Sequence, residues 1–256
     1  MTSSRILFVG DPHGKLRYVA EYVLHYKPRA LVLLGDIEPG DPLDDELGEL
    51  LKANVQVAWI HGNHDNADDQ MWRDLTDAER NPITSFGALH GRVVEVGDIR
   101  IAGLGGIFRE PIWHPGAGDG AIKYRSFEEF AKRDRRLRPR FAEDRALVHR
   151  ATIFPDVYER MWDLRADILA SHEAPSCHRH GFAEIDDLAR AMGARTIIHG
   201  HHHEDYVAVH KNGDLTVYGV GRAAAVDEHG QLVEPSRERP RREPQVHDSG
   251  DWLRLR

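Results

Sequence analysis

Short, almost wholly apolar runs alternate with amphipathic stretches along most of this chain. Arg5–Gly10, Ala30–Leu34, Gln56–Ile60, Asp167–Ala170 and Thr196–Ile198 read as buried strands. Leu16–Tyr26 carries apolar residues at Leu16, Val19, Ala20, Val23 and Leu24, the stripe of a helix, and Pro28 stops it. Leu43–Ala53 repeats that pattern after the second strand, so the chain opens as βαβαβ with right-handed crossovers. Ala67–Leu75 predicts a short helix. Arg92–Val96 and Asp98–Ala102 flank Gly97-Asp98 and predict a hairpin opening a second sheet. Ile185–Met192 is helical and Gly193 ends it. Tyr206–His210 and Leu215–Tyr218 then pair across Asn212-Gly213, a strong hairpin signal.

Two regions break the alternation. Pro111–Asp163 reads as an insertion with a Gly-rich opening followed by charged, helical sequence. Its stretch Ala121–Arg150 holds ten cations (Lys123, Arg125, Lys132, Arg133, Arg135, Arg136, Arg138, Arg140, Arg145, Arg150) against five acids. The stretch therefore carries +5 and the rest of the chain −13. Tyr124, Phe127, Phe130 and Phe141 recur at helical spacing, which predicts burial rather than stacking on bases. The second region, residues 234–256, is rich in Arg, Glu and Pro and reads as a flexible tail.

The 256 residues suffice for one large α/β domain, placed at 1–233 with the insertion at about 111–163. A net charge of −8 offers no general attraction to nucleic acid or membrane. Cys177 is the sole cysteine, which excludes an intramolecular disulfide and fits a reducing compartment. No run approaches the ~20 apolar residues of a membrane span. Arg5 leads straight into the first strand without a signal-peptide core, so a cytoplasmic location is expected.

The chemistry sits where strands end. Asp11-Pro12-His13, Gly35-Asp36 and Gly62-Asn63-His64-Asp65 follow the first three apolar runs. Ser171-His172-Glu173 and Gly200-His201-His202-His203 follow the last two. Strands of one parallel sheet deliver such ends to one rim, where sites of α/β folds gather. Oxygen and imidazole donors without thiolate suit Mn²⁺, Fe²⁺ or Zn²⁺.

This order and spacing resemble the calcineurin-like, binuclear metallophosphoesterase family over roughly residues 5–220. The resemblance implies a two-sheet β-sandwich flanked by helices; the basic helical insertion falls outside that pattern. It assigns Asp11, His13, Asp36 and His203 to a first metal. Asp36 bridges to a second, held also by Asn63, His172 and His201. His64 matches the family's histidine that meets the scissile phosphate, Asp65 is expected to orient it, and His202 to point away. The implied cofactors are two divalent ions, manganese first, with Fe, Zn, Ni or Mg as alternatives. Such a pair, about 3.5–4 Å apart, lowers the pKa of a bridging water and clamps a phosphate. The expected activity is hydrolysis of a phosphomonoester or phosphodiester by a metal-bridging hydroxide. Arg109, His178 and His180 are candidate substrate contacts.

Two alternatives stay open. One is a DNA- or RNA-processing nuclease with the +5 segment tracking the backbone. The other is a non-catalytic scaffold, disfavoured because no ligand is missing. Gly35-Asp36 continues as Ile37-Glu38-Pro39-Gly40, unlike the Asp-Arg-Gly of the Ser/Thr protein phosphatases.

Overall fold

The apolar runs form the centre of two stacked sheets. In a computed structural model, which describes residues 5–96, 98–115, 122–137, 142–236, 244, 246 and 251–255, the first half runs β1 (Ile6–Val9), α1 (Leu16–Tyr26), β2 (Ala30–Leu34), α2 (Leu43–Glu46), α3 (Gly48–Lys52), β3 (Gln56–Ile60), α4 (Asp69–Thr76), β4 (Arg92–Val96) and β5 (Ile99–Leu104). Helices α5 (Phe127–Leu137), α6 (Ala142–Arg150) and α7 (Pro155–Met161) follow. The chain continues with β6 (Ile168–Ser171), α8 (Ala183–Met192), β7 (Thr196–His199), β8 (Tyr206–His210), β9 (Thr216–Gly219), β10 (Ala225–Asp227), β11 (Leu232–Glu234) and β12 (Trp252–Leu255).

The first sheet has the order β11-β10-β1-β2-β3, and the second β12-β8-β9-β7-β6-β5-β4. Successive strand residues face opposite layers. Ile6 and Phe8 of β1 meet Ile168, Ala170 and Ile198 between the sheets. Leu7 and Val9 instead face Leu16, Val19 and Val23 of α1. On the outer face of the second sheet, Leu169 and Ile197 pack on Ile185, Leu188 and Met192 of α8. Strands buried on both faces read as unbroken apolar runs, which is why they were legible.

Three expectations are corrected. The strands that end in the metal loops do not share one sheet. β1, β2 and β3 run parallel in the first, while β6 and β7 run parallel in the second. The long excursion through β4, β5 and the insertion carries the chain across, and the two rims meet.

Leu43–Ala53 is two short helices, not one. Leu47 leaves helical geometry (φ −105°, ψ 15°), which lets Leu43, Leu47 and Leu50 all bury beside a weak helix former, Gly48.

The end of the chain is not wholly a loose tail. Trp252–Leu255 pairs antiparallel with β8, and Trp252 is buried with its indole N–H donating to Ser176 Oγ at 2.9 Å. An open sheet edge offers unpaired backbone groups, and an apolar segment satisfies them.

Phe130 is fully buried in the insertion, against Tyr124, Phe127 and His149. Phe141, Arg138 and Arg140 lie outside the described residues, as does Gly97. Among the described residues no helix is long and apolar enough to cross a membrane.

Candidate metal centre

Left-handed backbone lets three of the five loops, those after β1, β2 and β7, turn side chains inward within a few residues of the strand. φ is 40° at Asp11, 44° at His13, 47° at Asp36, 49° at Glu38, 68° at His201 and 57° at His203. Non-glycine residues adopt this region at a cost of roughly 1–3 kcal/mol each, so their concentration at one rim marks a functional constraint. The loops are laced together. His13 N donates to Asp36 O at 2.8 Å, His64 N to Asp36 Oδ1 at 2.8 Å, and His201 N to Asp11 Oδ1 at 3.0 Å. Gly62 permits the closest approach, because a Cβ there would strike the Asp36 carboxylate and the His172 ring.

Among the described residues four groups of side chains could each hold an ion, and two of them share Asp36; the other two are His13-Glu38-His64 and Glu173-His201-His202. His13, Asp36 and His203 offer donor atoms within 4.8 Å of one another, and so do Asp36, His172 and His201. His13 Nε2 and His203 Nε2 are 2.9 Å apart, and Asp11 Oδ2 lies 4.0 Å from His203 Nε2. In the second group His172 Nε2 is 3.4 Å from Asp36 Oδ1 and 3.1 Å from Asn63 Oδ1. His172 Nδ1 donates to the Leu34 carbonyl at 2.8 Å, an acceptor only, which leaves Nε2 as the ligating atom.

This donor set fits divalent cations. Asp11 is fully buried and its Oδ2 has no hydrogen-bond partner among the described residues. Burial and the adjacent Asp36 carboxylate raise the Asp11 pKa well above the usual range, a penalty a cation would remove. Burial also lowers His172 and takes His201 down to about 3, which keeps both rings in the neutral, ligating form. His64, by contrast, is exposed.

The orienting role expected of Asp65 is corrected. Its buried carboxylate is taken by two backbone donors, Gly62 N and Glu38 N, each at 2.7 Å. Burial pushes it up to about 7 against those bonds. The carboxylate that reaches the His64 ring is Glu38, whose Oε1 is 3.5 Å from Nδ1. Sequence reasoning missed Glu38 as a site residue. Its only signal was an acid two positions after Asp36.

His178 does not line an open cleft. It is buried, stacked on His202 with centroids 3.9 Å apart, and its Nε2 sits 3.4 Å from Glu204 Oε2. The backbone of Val246 bridges to it, so chain covers this loop. His180 is exposed beside it, with ring centroids 5.7 Å apart. His202 turns from the shared Asp36 toward that stack. Arg109 is half-buried, with an unpaired Nε among the described residues, and interacts electrostatically with Glu173 next to His172.

Much of the insertion's positive charge is already engaged. Arg125 pairs with Glu159, Arg145 with buried Asp134 at 3.0 Å, and Arg150 with Asp69 at 2.7 Å. Arg133 lies over the Tyr124 ring. Lys132, Arg133, Arg135 and Arg136 are exposed on α5.

A helix-flanked double sheet whose two rims present Asp, His and Asn donors around a shared carboxylate defines the class of metal-dependent phosphoesterases. The calcineurin-like phosphoesterase pattern matches residues 4–205. An uncharacterized protein of Haemophilus influenzae is 37% identical over 205 residues, covering 78% of this chain and 84% of its own length. The fold is similar to the crystal structure of TT1561 of Thermus thermophilus (TM-score 0.55, 16% identity, 90% of this chain and 96% of that one). A dimetal phosphatase from Danio rerio is similar at TM-score 0.52 and 12% identity, over 89% of this chain and 90% of that one. The chain belongs to the calcineurin-like phosphoesterase family.

Proposed function

We propose that this phosphoesterase works with two divalent cations, manganese first among them, and hydrolyses a phosphomonoester or phosphodiester without a covalent enzyme intermediate. The observation that supports the reading is Asp36, which is shared by two of the candidate ligand groups. Asp11, His13, Asp36 and His203 would hold one cation, and Asp36, Asn63, His172 and His201 the other. Bound there, the cations would lower the pKa of a coordinated water and offset charge on the phosphoryl oxygens.

The chain's own groups supply the rest. Asn63 contributes a neutral oxygen, so the second site keeps more positive charge for substrate. His64, whose ring is exposed, would hand a proton to the departing oxygen. In that step a water that has given up one proton to solvent bonds through its oxygen to phosphorus, and the ester P–O bond breaks. The leaving oxygen takes the His64 proton, and solvent returns a proton to His64. Arg109 and His180 are the remaining candidates for substrate contact.

The test is metal analysis of the purified protein together with a panel of aryl and alkyl mono- and diesters under Mn²⁺, Mg²⁺, Ni²⁺, Fe²⁺ and Zn²⁺. Two metal equivalents and chelator-sensitive hydrolysis are expected. A metal-replete protein that binds one equivalent, or that hydrolyses none of the panel, overturns the reading.

A further inference from the structure

Glu38 sits between the two halves of the site. One oxygen, Oε1, lies 2.7 Å from His13 Nδ1 and 3.5 Å from His64 Nδ1. The two rings meet edge-on, with centroids 5.3 Å apart and planes at 77°. The seat of Glu38 is itself built. Its backbone is left-handed at φ 49°, and the buried Asp65 carboxylate accepts its N–H at 2.7 Å. The Asp65 carboxylate thus bonds the backbone of Glu38 and of Gly62.

We infer that Glu38 is a positioning residue with two clients: it fixes the tautomer of the ligand His13, and it holds the His64 ring with Nε2 turned to the cleft. A carboxylate only accepts, so the His13 nitrogen bonded to it carries the proton, and Nε2 is left for the cation beside His203. At His64 the same oxygen restrains a ring that is otherwise solvated, its side chain 59% exposed. The arrangement links acid and metal ligand through one atom, so the proton donor is aligned by the group that prepares the first metal site. The His64 half rests on the proton-donating role proposed above; the His13 half does not.

The test uses Glu38→Ala, Glu38→Gln, His64→Ala and the Glu38/His64 double Ala variant, with Mn²⁺ titrated by calorimetry. Glu38→Ala should weaken one of two Mn²⁺ sites by about 10–100-fold, the usual effect of losing a ligand's outer partner. Glu38→Gln should restore much of that affinity, because its amide oxygen still accepts from His13. At saturating Mn²⁺, Glu38→Ala should lower kcat for an alkyl ester more than for an aryl ester and leave KM near the parent. That loss should disappear in the His64→Ala background. Independent, multiplying losses overturn the His64 half, and so does full recovery of kcat with excess Mn²⁺. Unchanged Mn²⁺ affinity overturns the His13 half. A third Mn²⁺ equivalent lost with Glu38 would make it a ligand and overturn both. If the parent binds two Mn²⁺ but hydrolyses neither ester, the hydrolytic reading has failed, and the titration still decides the His13 half.

Discussion

Asn66 donates its side-chain amide to the carbonyl of Leu147 at 2.7 Å. The same nitrogen also reaches Val148 O at 2.9 Å. Both carbonyls fall in the last turn of α6, where no intrahelical donor remains. Asn66 follows the Asn63-His64-Asp65 loop directly and is buried. Arg150 adds a second fastening, to Asp69 of α4. The insertion is thus clamped to the loop that carries the proposed acid.

Asn66→Ala should cost about 0.5–1.5 kcal/mol, the net worth of a typical hydrogen bond, since the two acceptors are only part-buried. Hydrogen exchange should speed up in α6 and in the Asn63–Asn66 loop together. Faster exchange in α6 alone would show that the two are not coupled.

Asp36→Ala should abolish both turnover and paired metal binding with the circular-dichroism spectrum preserved, since the cations rather than Asp36 packing are lost. Hydrolysis within roughly tenfold of the parent would sink the two-metal assignment. Asn63→Ala should lower occupancy of the second site selectively, read by metal analysis.

His64→Ala should reduce kcat by about 10²–10⁴ with normal metal content. The defect should shrink for aryl esters, whose leaving groups need little protonation. Equal defects for good and poor leaving groups would recast His64 as a phosphate-binding residue.

Charge reversal of Lys132, Arg133 and Arg136 tests the nuclease alternative. These residues lie on the exposed side of α5, whereas Arg125, Arg145 and Arg150 are paired within the fold. The Michaelis constant for an oligonucleotide should rise if the segment tracks a polyanion, and hydrolysis of a small reporter should not change. A like response from both substrates, or none from either, removes that alternative.

His149 sets a pH limit on the insertion. Burial, then Arg109 and Arg145, take its pKa down to about 4, below the value of about 6.5 expected in the unfolded chain. The unfolded state thus binds the proton first, and stability falls as pH drops from about 6.5 to about 4. His149→Gln, which can still bond Thr152, should lose less Tm than the parent between pH 7 and pH 5. The difference should be about 2–4 °C per kcal/mol recovered. Parallel Tm curves would place the acid sensitivity elsewhere.

What the sequence by itself determined was the core strands and helices and the residue types that stand at the strand ends. Ala30–Leu34, Gln56–Ile60 and Leu16–Tyr26 have the bounds their periodicity predicts, because a doubly buried strand and an amphipathic helix are local patterns. The candidate donors stood out for a related reason: cation binding restricts residue type, and Asp, Asn and His recur in five short motifs.

Tertiary structure alone decided which sheet each loop comes from and which carboxylate faces which ring. Asp65 adjoins His64 in sequence, yet its oxygens bond Gly62 N and Glu38 N, while Glu38 approaches His64 from the preceding loop. Likewise His178 lost its cleft position to a stack with His202, and Trp252 closed an open strand edge. Side-chain direction follows from left-handed φ values and long-range hydrogen bonds, and neither leaves a period in the sequence.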